Sequence, residues 1–302
     1  MKLRVVHKTA YSYGEPVSTS HHEARLTPRE NDHQRTLSHT IDIDPVPAHR
    51  RTRFDYFGNR TLYFNLSEPH RALEVSATSV VELRAPHRPE LSNTPPWEVV
   101  RDRLRADTGR DVLDAFQMTF ESAYVKPLPE LVDYAAPSFT SGRPVLEVAA
   151  DLTRRIHADF VYDPRSTVIT TPLAEVLAQR RGVCQDFAHL MLGCMRSFGL
   201  AARYVSGYLM TRPPPGKERL AGADASHAWV SAWVPEEGWF DFDPTNDVTP
   251  SEEHVTIASG RDFGDVTPMR GVILGGGPHT LAVSVDVAPE AEPQSQSQSQ
   301  PP

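Results

Sequence analysis

The chain has 302 residues, a formal net charge of −8 and 39% hydrophobic residues. This length suits one large or two ordinary domains, and the composition is typical of a globular protein. The sequence contains no apolar run long enough to span a bilayer, and its start lacks the apolar segment of a secretory signal, so we expect a cytoplasmic protein without a membrane partner. The acidic charge and the scattered basic residues argue against a nucleic-acid partner.

Residues 1–84 predict an antiparallel β domain, and a sandwich is the arrangement that we expect. Apolar and polar residues alternate through most of this region, most clearly over residues 73–83. The segment Phe57-Gly58-Asn59 lies between two aromatic runs and predicts a hairpin turn. The histidines of the region lack the spacing of a zinc site, so no metal is predicted here.

Residues 85–140 predict a linker followed by connecting helices. Four prolines between positions 86 and 96 interrupt regular structure, and residues 97–107 then show a short, charged helical pattern. A longer amphipathic helix is predicted over residues 145–156, where apolar side chains form one stripe. Residues 160–162 predict a short extended segment that leads towards the first cysteine.

The next stretch places that cysteine, Cys184, at the start of a helix. A preceding short helix is predicted to begin with Thr171 as its N-cap and Pro172 at its first position, and to end before Gly182. From Cys184 onwards, apolar residues recur at helical spacing until Gly199, a natural terminator. Unpaired N–H groups and the positive end of the helix dipole favour a thiolate, which is the nucleophilic form, at such a position.

The second cysteine, Cys194, lies ten residues after Cys184. If both are on one helix, about 15 Å of axial rise separates them, which is too far for a disulfide bond. We therefore expect two reduced thiols, as in a reducing compartment.

A predicted hairpin supplies a base and an acid. Its strands flank a turn at residues 235–238, and His227 and Asp243 are equidistant from position 235. In a symmetric hairpin these two residues are direct cross-strand partners, close enough for a carboxylate to hold an imidazole. The same register places Asp241 opposite Trp229.

Residues 141–250 are therefore expected to form a catalytic core, and residues 251–287 to add strands that complete the fold. Residues 211–219 include three consecutive prolines and predict an exposed loop, either an inert connection or a rim of the cleft. Residues 288–302 are rich in Glu, Pro, Gln and Ser and predict a disordered tail.

Each of the three candidate residues also has an ordinary explanation. A lone cysteine such as Cys184 is usually a small core residue, a strand histidine such as His227 is usually satisfied by its surroundings, and Asp243 could cap a turn before Pro244. Together, however, a thiol at a helix start, a base and an orienting acid form the arrangement that a thiol nucleophile requires.

The motifs around these residues resemble those of the transglutaminase-like superfamily, in its bacterial form with an N-terminal β domain. The resemblance rests on Arg180-Arg-Gly-Val-Cys184-Gln-Asp-Phe-Ala-His, on His227-Ala-Trp and on Phe242-Asp243-Pro-Thr-Asn, with further similarity at residues 55–59 and 260–266. It implies an α+β fold, in which a papain-like core with a central helix packed on an antiparallel sheet follows a β-sandwich domain.

This resemblance also implies roles for the candidate residues: Cys184 as the nucleophile, His227 as general base and acid, and Asp243 as the orienting residue. The implied chemistry is acyl transfer from an amide through a thioester, resolved by water or by an amine. No calcium loop of the EF-hand type is found, so we expect no metal and no cofactor.

Animal members of the family place a tryptophan upstream of the cysteine as an oxyanion donor, and residues 144–184 contain none. The backbone N–H of Cys184 is then the expected donor, with the Tyr162 hydroxyl as a second. Tyr162, Gln185 and Trp229 are the further candidates for oxyanion or substrate binding.

We expect a cysteine peptidase or amidase that acts on a peptide or protein, because the chain shows no sign of a second, amine-binding module. A transamidase is the nearest alternative, since both reactions share every step up to deacylation. A non-catalytic interaction module that retains the fold is a third, because common folds often host binding proteins. The presence of all three polar residues argues against this last alternative.

Overall fold

The computed structural model describes residues 1–211 and 226–290. Within these ranges an antiparallel β unit is joined to a unit of helices packed on a second antiparallel sheet, which confirms the predicted α+β class. No helix in the described ranges is long and apolar enough to cross a membrane. Most of the predicted proline-rich loop, residues 212–219, lies outside the described residues, as does the chain from residue 291.

The regular elements are numbered in chain order. The strands are β1 (Lys2–Ala24), β2 (Gln34–Asp44), β3 (His49–Phe54), β4 (Arg60–Leu66), β5 (His70–Leu83), β6 (Val161–Tyr162), β7 (Arg181–Gly182), β8 (Ala202–Leu209), β9 (Ser226–Val234), β10 (Gly238–Phe242), β11 (His254–Gly260), β12 (Met269–Gly275) and β13 (His279–Pro289). The helices are α1 (Trp97–Ala106), α2 (Arg110–Phe116), α3 (Pro129–Ala135), α4 (Val145–Asp159), α5 (Leu173–Gln179), α6 (Cys184–Ser197) and α7 (Phe263–Val266).

The β unit is one seven-stranded sheet organised around the long strand β1. The first half of β1 pairs with β5 and β13, and its second half pairs with β4 and β12. One hydrogen-bonded antiparallel sheet therefore forms the domain for which a sandwich was expected. Residues paired with both halves of β1, such as Phe64 and Leu73, share one hydrophobic cluster. Alternation of apolar and polar residues produces this arrangement, because every second side chain points to the same face.

The C-terminal strands β12 and β13 pair with β1 of this sheet and do not join the second sheet, β10-β9-β8-β11. Strand β13 runs to Pro289, which pairs with Leu3. The predicted start of the tail at residue 288 is therefore wrong, because the backbone of residues 288 and 289 continues the β13 ladder along β1.

The second unit has the sheet order β10-β9-β8-β11, with the buried helix α6 packed against β8 and β9. Helix α4 confirms the predicted amphipathic helix and buries Leu152 in the same hydrophobic cluster as Leu190 of α6. Leu104 of α1 and Leu131 of α3 also belong to that cluster. The helices expected to be connections thus contribute to the core beneath the candidate site.

Two amide side chains of the β unit bind the outer edge of β11. Gln34 accepts from the Thr256 N–H at 2.7 Å and donates to the Thr256 carbonyl at 2.7 Å. Asn59 makes the same pair of bonds with Ser259, both at 2.8 Å. Gln34 and Asn59 are each 1% exposed. The two amides therefore satisfy backbone groups of β11 that a further strand would otherwise pair.

Candidate active site

Cys184 is the first residue of α6, as predicted, and its side chain is partly exposed. The helix before it starts one residue later than predicted: α5 begins at Leu173, and Pro172 is its N-cap. Thr171, the predicted N-cap, instead accepts a hydrogen bond from the Val168 N–H in the preceding turn. Helix α5 ends at Gln179, and its C-cap residue Arg180 has a left-handed φ of 55°. Gly182 is therefore not the stop signal that it was predicted to be.

The real reason for glycine at position 182 is the carboxylate of Asp186. A Cβ on Gly182 would lie 2.8 Å from both Cβ and Oδ2 of Asp186. That carboxylate accepts from the Val183 N–H at 2.8 Å and from the Thr167 hydroxyl at 2.7 Å. Asp186 thus caps the helix one residue before Cys184 and fixes how the helix starts.

The other end of α6 follows the prediction. Gly199 has a φ of +76°, its N–H bonds to Arg196, and the Leu200 N–H bonds to Met195. This double hydrogen bond is the usual glycine-terminated end of a helix. Cys194 is fully buried on the same helix, and burial raises the pKa of its thiol to about 12. Of the two thiols, Cys184 alone is therefore placed to react.

The predicted contact between His227 and Asp243 is present, at 2.7 Å from Nε2 to Oδ2, but the predicted register is wrong. Strands β9 and β10 pair Asp241 with Ser231, so continuing the ladder puts Asp243 opposite Trp229. The error is two residues. A shift by two keeps both side chains on one face, where diagonal neighbours are still within reach.

Asp243 is completely buried and is surrounded by hydrogen-bond donors. Its Oδ1 accepts from the backbone N–H groups of Thr245 and Asn246, at 2.9 and 3.3 Å. Its Oδ2 receives the Asn246 amide at 2.7 Å, in addition to His227 and a contact at 3.4 Å with His254. Burial raises the pKa of Asp243, but these bonds outweigh it and hold that pKa well below its usual range.

His227 is held between this carboxylate and the thiol. Burial lowers the pKa of His227, but hydrogen bonds with Asp243 and Cys184, together with their charges, raise it to about 10. Because Nε2 is bonded to Asp243, Nδ1 is the ring nitrogen left to face the sulfur. An imidazolium stabilised in this way can donate its proton as a general acid and, once neutral, can act as a general base.

Trp229, a candidate for oxyanion or substrate binding, has another role in the structure. Its side chain is 0% exposed, and its Nε1 donates to Asp241 at 3.0 Å. The indole lies over Gly207 of β8, where a Cβ would be 2.5 Å from its Cη2 atom. It packs edge-on against His254, with 5.4 Å between ring centroids. Trp229 is therefore a buried residue that packs against His254, and its N–H is bonded to Asp241 and is not free to bind an oxyanion.

Gln185 and Tyr162 lie beside the thiol. A groove of about 480 Å³ is lined by residues 164, 167–170, 183, 185 and 186. Gln185 lines it and donates to the Ile169 carbonyl at 3.3 Å. Tyr162 is 52% exposed, and burial and the charge of Cys184 both raise the pKa of its hydroxyl. Both residues are placed for substrate or oxyanion contact, which remains a prediction.

Two residues of the site were missed by sequence reasoning. Asn246 belongs to the recognised Asp-Pro-Thr-Asn motif, so its spacing could have indicated a donor for Asp243. His254 begins β11, two strands away from His227 across the sheet, and no local pattern points to it.

One group of potential metal ligands occurs among the described residues. Nε2 of His227, Oδ2 of Asp243 and Nε2 of His254 lie within 4.8 Å of one another. Their chemistry suits a transition metal, but the same three atoms already form the hydrogen bonds of the site. A bound ion would have to replace the bond between His227 and Asp243, so we keep the prediction that the reaction needs no metal.

Comparison with known families agrees with this geometry. Residues 3–82 match the bacterial transglutaminase-like N-terminal region, and residues 133–244 match the transglutaminase-like superfamily. The chain belongs to the transglutaminase-like superfamily. The family match spans Cys184, His227 and Asp243, the three residues brought together in the structure.

Relatives of this superfamily member occur in several bacteria. An uncharacterized protein of Mycobacterium tuberculosis is 43% identical over 300 residues, covering 95% of this chain and 93% of that protein. A Pseudomonas aeruginosa protein-glutamine gamma-glutamyltransferase is 36% identical over 111 residues, which are 36% of this chain and 17% of that protein. A Cytophaga hutchinsonii crystal structure, described as a "Putative Cysteine Protease", has a TM-score of 0.74 at 22% identity and covers 95% of this chain and 90% of its own, which shows the shared fold.

Proposed function

We propose that the protein is a cysteine peptidase or amidase, which cleaves a peptide or carboxamide bond through a thioester on Cys184. The observation that carries this proposal is the 2.7 Å hydrogen bond between His227 and the buried carboxylate of Asp243. The partly exposed thiol of Cys184 lies close enough to the same imidazole to help raise its pKa. Base, orienting acid and nucleophile therefore form one connected unit.

In the acylation step, the Cys184 sulfur attacks the carbonyl carbon of the substrate amide and forms a C–S bond. The resulting oxyanion needs donors, and the Cys184 backbone N–H at the start of α6 is one, with the Tyr162 hydroxyl as a second. The His227 imidazolium donates its proton to the amide nitrogen, the C–N bond breaks, and the amine leaves. Asp243 keeps the imidazole aimed throughout.

In the deacylation step, neutral His227 takes a proton from water while the water oxygen attacks the thioester carbon. The C–S bond then breaks, the carboxylic acid leaves and the thiolate–imidazolium pair is restored. Removal of this product frees the site for another amide. The groove beside Gln185 is the surface on which we place the acyl side of the substrate, because Val183 and Gln185, the chain neighbours of Cys184, line it.

A transamidase is the second candidate, favoured by the partial similarity to a protein-glutamine gamma-glutamyltransferase. The two reactions differ only in whether water or an amine attacks the thioester. Incubation of the protein with glutaminyl peptides and a labelled primary amine, followed by mass spectrometry, separates them. We expect the free acid as the main product, whereas a main product that carries the amine would overturn the hydrolase proposal.

Two alanine variants test the role of the thiol itself. We expect Cys184→Ala to abolish product formation with a nearly unchanged melting temperature, since this side chain is partly exposed. Cys194→Ala is the matched control on the same helix, and it should remain active although its buried cavity lowers stability. Full turnover by Cys184→Ala would contradict the proposal.

A further inference from the structure

Asp243 has a second histidine partner, in addition to His227. His254 Nε2 lies 3.4 Å from the same oxygen, Oδ2, that binds His227. The His254 side chain is 6% exposed and packs edge-on against the buried indole of Trp229. His254 does not line the groove beside Gln185 but a separate cavity of about 380 Å³, together with Trp229 and Asp241. Its hydrogen-bond contact with the catalytic candidates is therefore the one with the Asp243 carboxylate.

The surroundings of the ring determine where its proton lies. The Ser251 backbone N–H points at Nδ1 of His254 at 3.4 Å, so Nδ1 is an acceptor and carries no hydrogen. The hydrogen of the neutral ring is therefore on Nε2, which donates to Asp243. Both bonds are long, so each one is weaker than the bond to His227.

The position of His254 is set from the β unit. His254 is the first residue of β11, and Gln34 holds the backbone of Thr256, two residues further on, by two 2.7 Å hydrogen bonds. Because Gly207 of β8 has no side chain, the Trp229 indole has room to pack against the His254 ring. The N-terminal unit thus anchors the strand that carries this histidine.

We propose that His254 is a positioning residue: it donates from Nε2 to Asp243 and thereby keeps the carboxylate, and through it His227, aimed at Cys184. This proposal rests on the proposed function of Cys184. It assigns the β unit a part in the chemistry, because that unit holds β11 in place. Loss of the donor lets the carboxylate turn, which lowers the fraction of molecules with an aligned imidazole.

Two substitutions separate hydrogen bonding from packing. His254→Gln keeps an N–H donor of similar reach, whereas His254→Phe keeps a ring of similar size without a donor. The readout is the rate at which iodoacetamide alkylates Cys184 at pH 7, measured by mass spectrometry, since this needs no known substrate. We expect a loss of about tenfold in His254→Phe and a rate close to wild type in His254→Gln.

The control is His22→Phe, which replaces a histidine of the β unit that is 4% exposed, and it should alkylate at the wild-type rate. Equal rates in wild type and His254→Phe would overturn the proposal, as would equal losses in both His254 variants, because that result assigns the ring to packing. Failure of the proposed function looks different: wild-type Cys184 would then react no faster than a free cysteine in solution.

Discussion

The bond between His227 and Asp243 predicts how stability depends on pH. The rise in the pKa of His227 from 6.5 to about 10 means that folding stabilises the protonated ring by on the order of a few kcal/mol, with the hydrogen bond to Asp243 as the leading cause. Asp243→Asn keeps the shape but removes the charge, so we expect it to lower the free energy of unfolding by about 3 kcal/mol near pH 6, as when a buried pair is broken. Urea denaturation from pH 5 to pH 10 measures this.

The two pKa changes determine the pH range in which the stabilities of wild type and Asp243→Asn should differ most. Because the pKa of His227 is raised, its stabilising effect is complete below about pH 6.5 and is lost as the pH rises towards 10. Because the pKa of Asp243 is lowered, its effect is complete above about pH 4 and is lost only in stronger acid. The difference between wild type and Asp243→Asn should therefore be largest between about pH 4 and 6.5 and should shrink above that range.

Asp241→Asn is the matched control, because Asp241 lies on the same strand and bonds to Trp229 rather than to a histidine. Its stability difference from wild type should show no slope between pH 6.5 and 10. If the difference for Asp243→Asn is equally flat over that range, the proposed ionic pair with His227 does not exist in solution.

Three further substitutions test the surroundings of the site. Gly182→Ala should destabilise the protein by about 1–3 kcal/mol and slow Cys184 alkylation. Gly109→Ala, whose Cβ would come no closer than 3.2 Å to Asp107 and 4.0 Å to Val112, should stay within about 0.5 kcal/mol of wild type in urea denaturation. Equal costs at both glycines would refute the clash with Asp186. Gln34→Ala should cost about 2 kcal/mol and slow alkylation severalfold, because it leaves the Thr256 N–H without a partner, while the Thr256 carbonyl keeps its bond from the Arg29 N–H. Unchanged alkylation would show that the position of His254 does not depend on Gln34.

Local patterns in the sequence were sufficient to predict the three central residues. A cysteine at the start of an apolar helical stripe and a histidine and an aspartate around a turn are short-range signals, and α6, β9 and β10 confirm those elements. The register error arose at the turn, where Glu236 and Gly238 both have positive φ values, 67° and 94°. The alternating pattern constrains which face a side chain occupies, but it does not fix which residue lies opposite it.

The remaining features depend on contacts between distant parts of the chain. Gln34 and Thr256 are 222 residues apart, and the pairing of β12 and β13 with β1 likewise joins the two ends of the described chain. Gly182 was read as a helix terminator because no local signal shows a side chain folding back over it. His254 was missed for the same reason, since it reaches Asp243 from the far edge of the sheet.

The central claim is that Cys184 forms a thioester with the help of His227, and trapping the acyl-enzyme tests it most directly. Wild type and His227→Leu are mixed with 4-nitrophenyl acetate, quenched in acid within the first turnover and analysed by peptide mass spectrometry. We predict one acetyl group on Cys184 in wild type and little or none in His227→Leu. Acetylation at other residues only, or equal labelling of Cys184 in both proteins, would contradict the account.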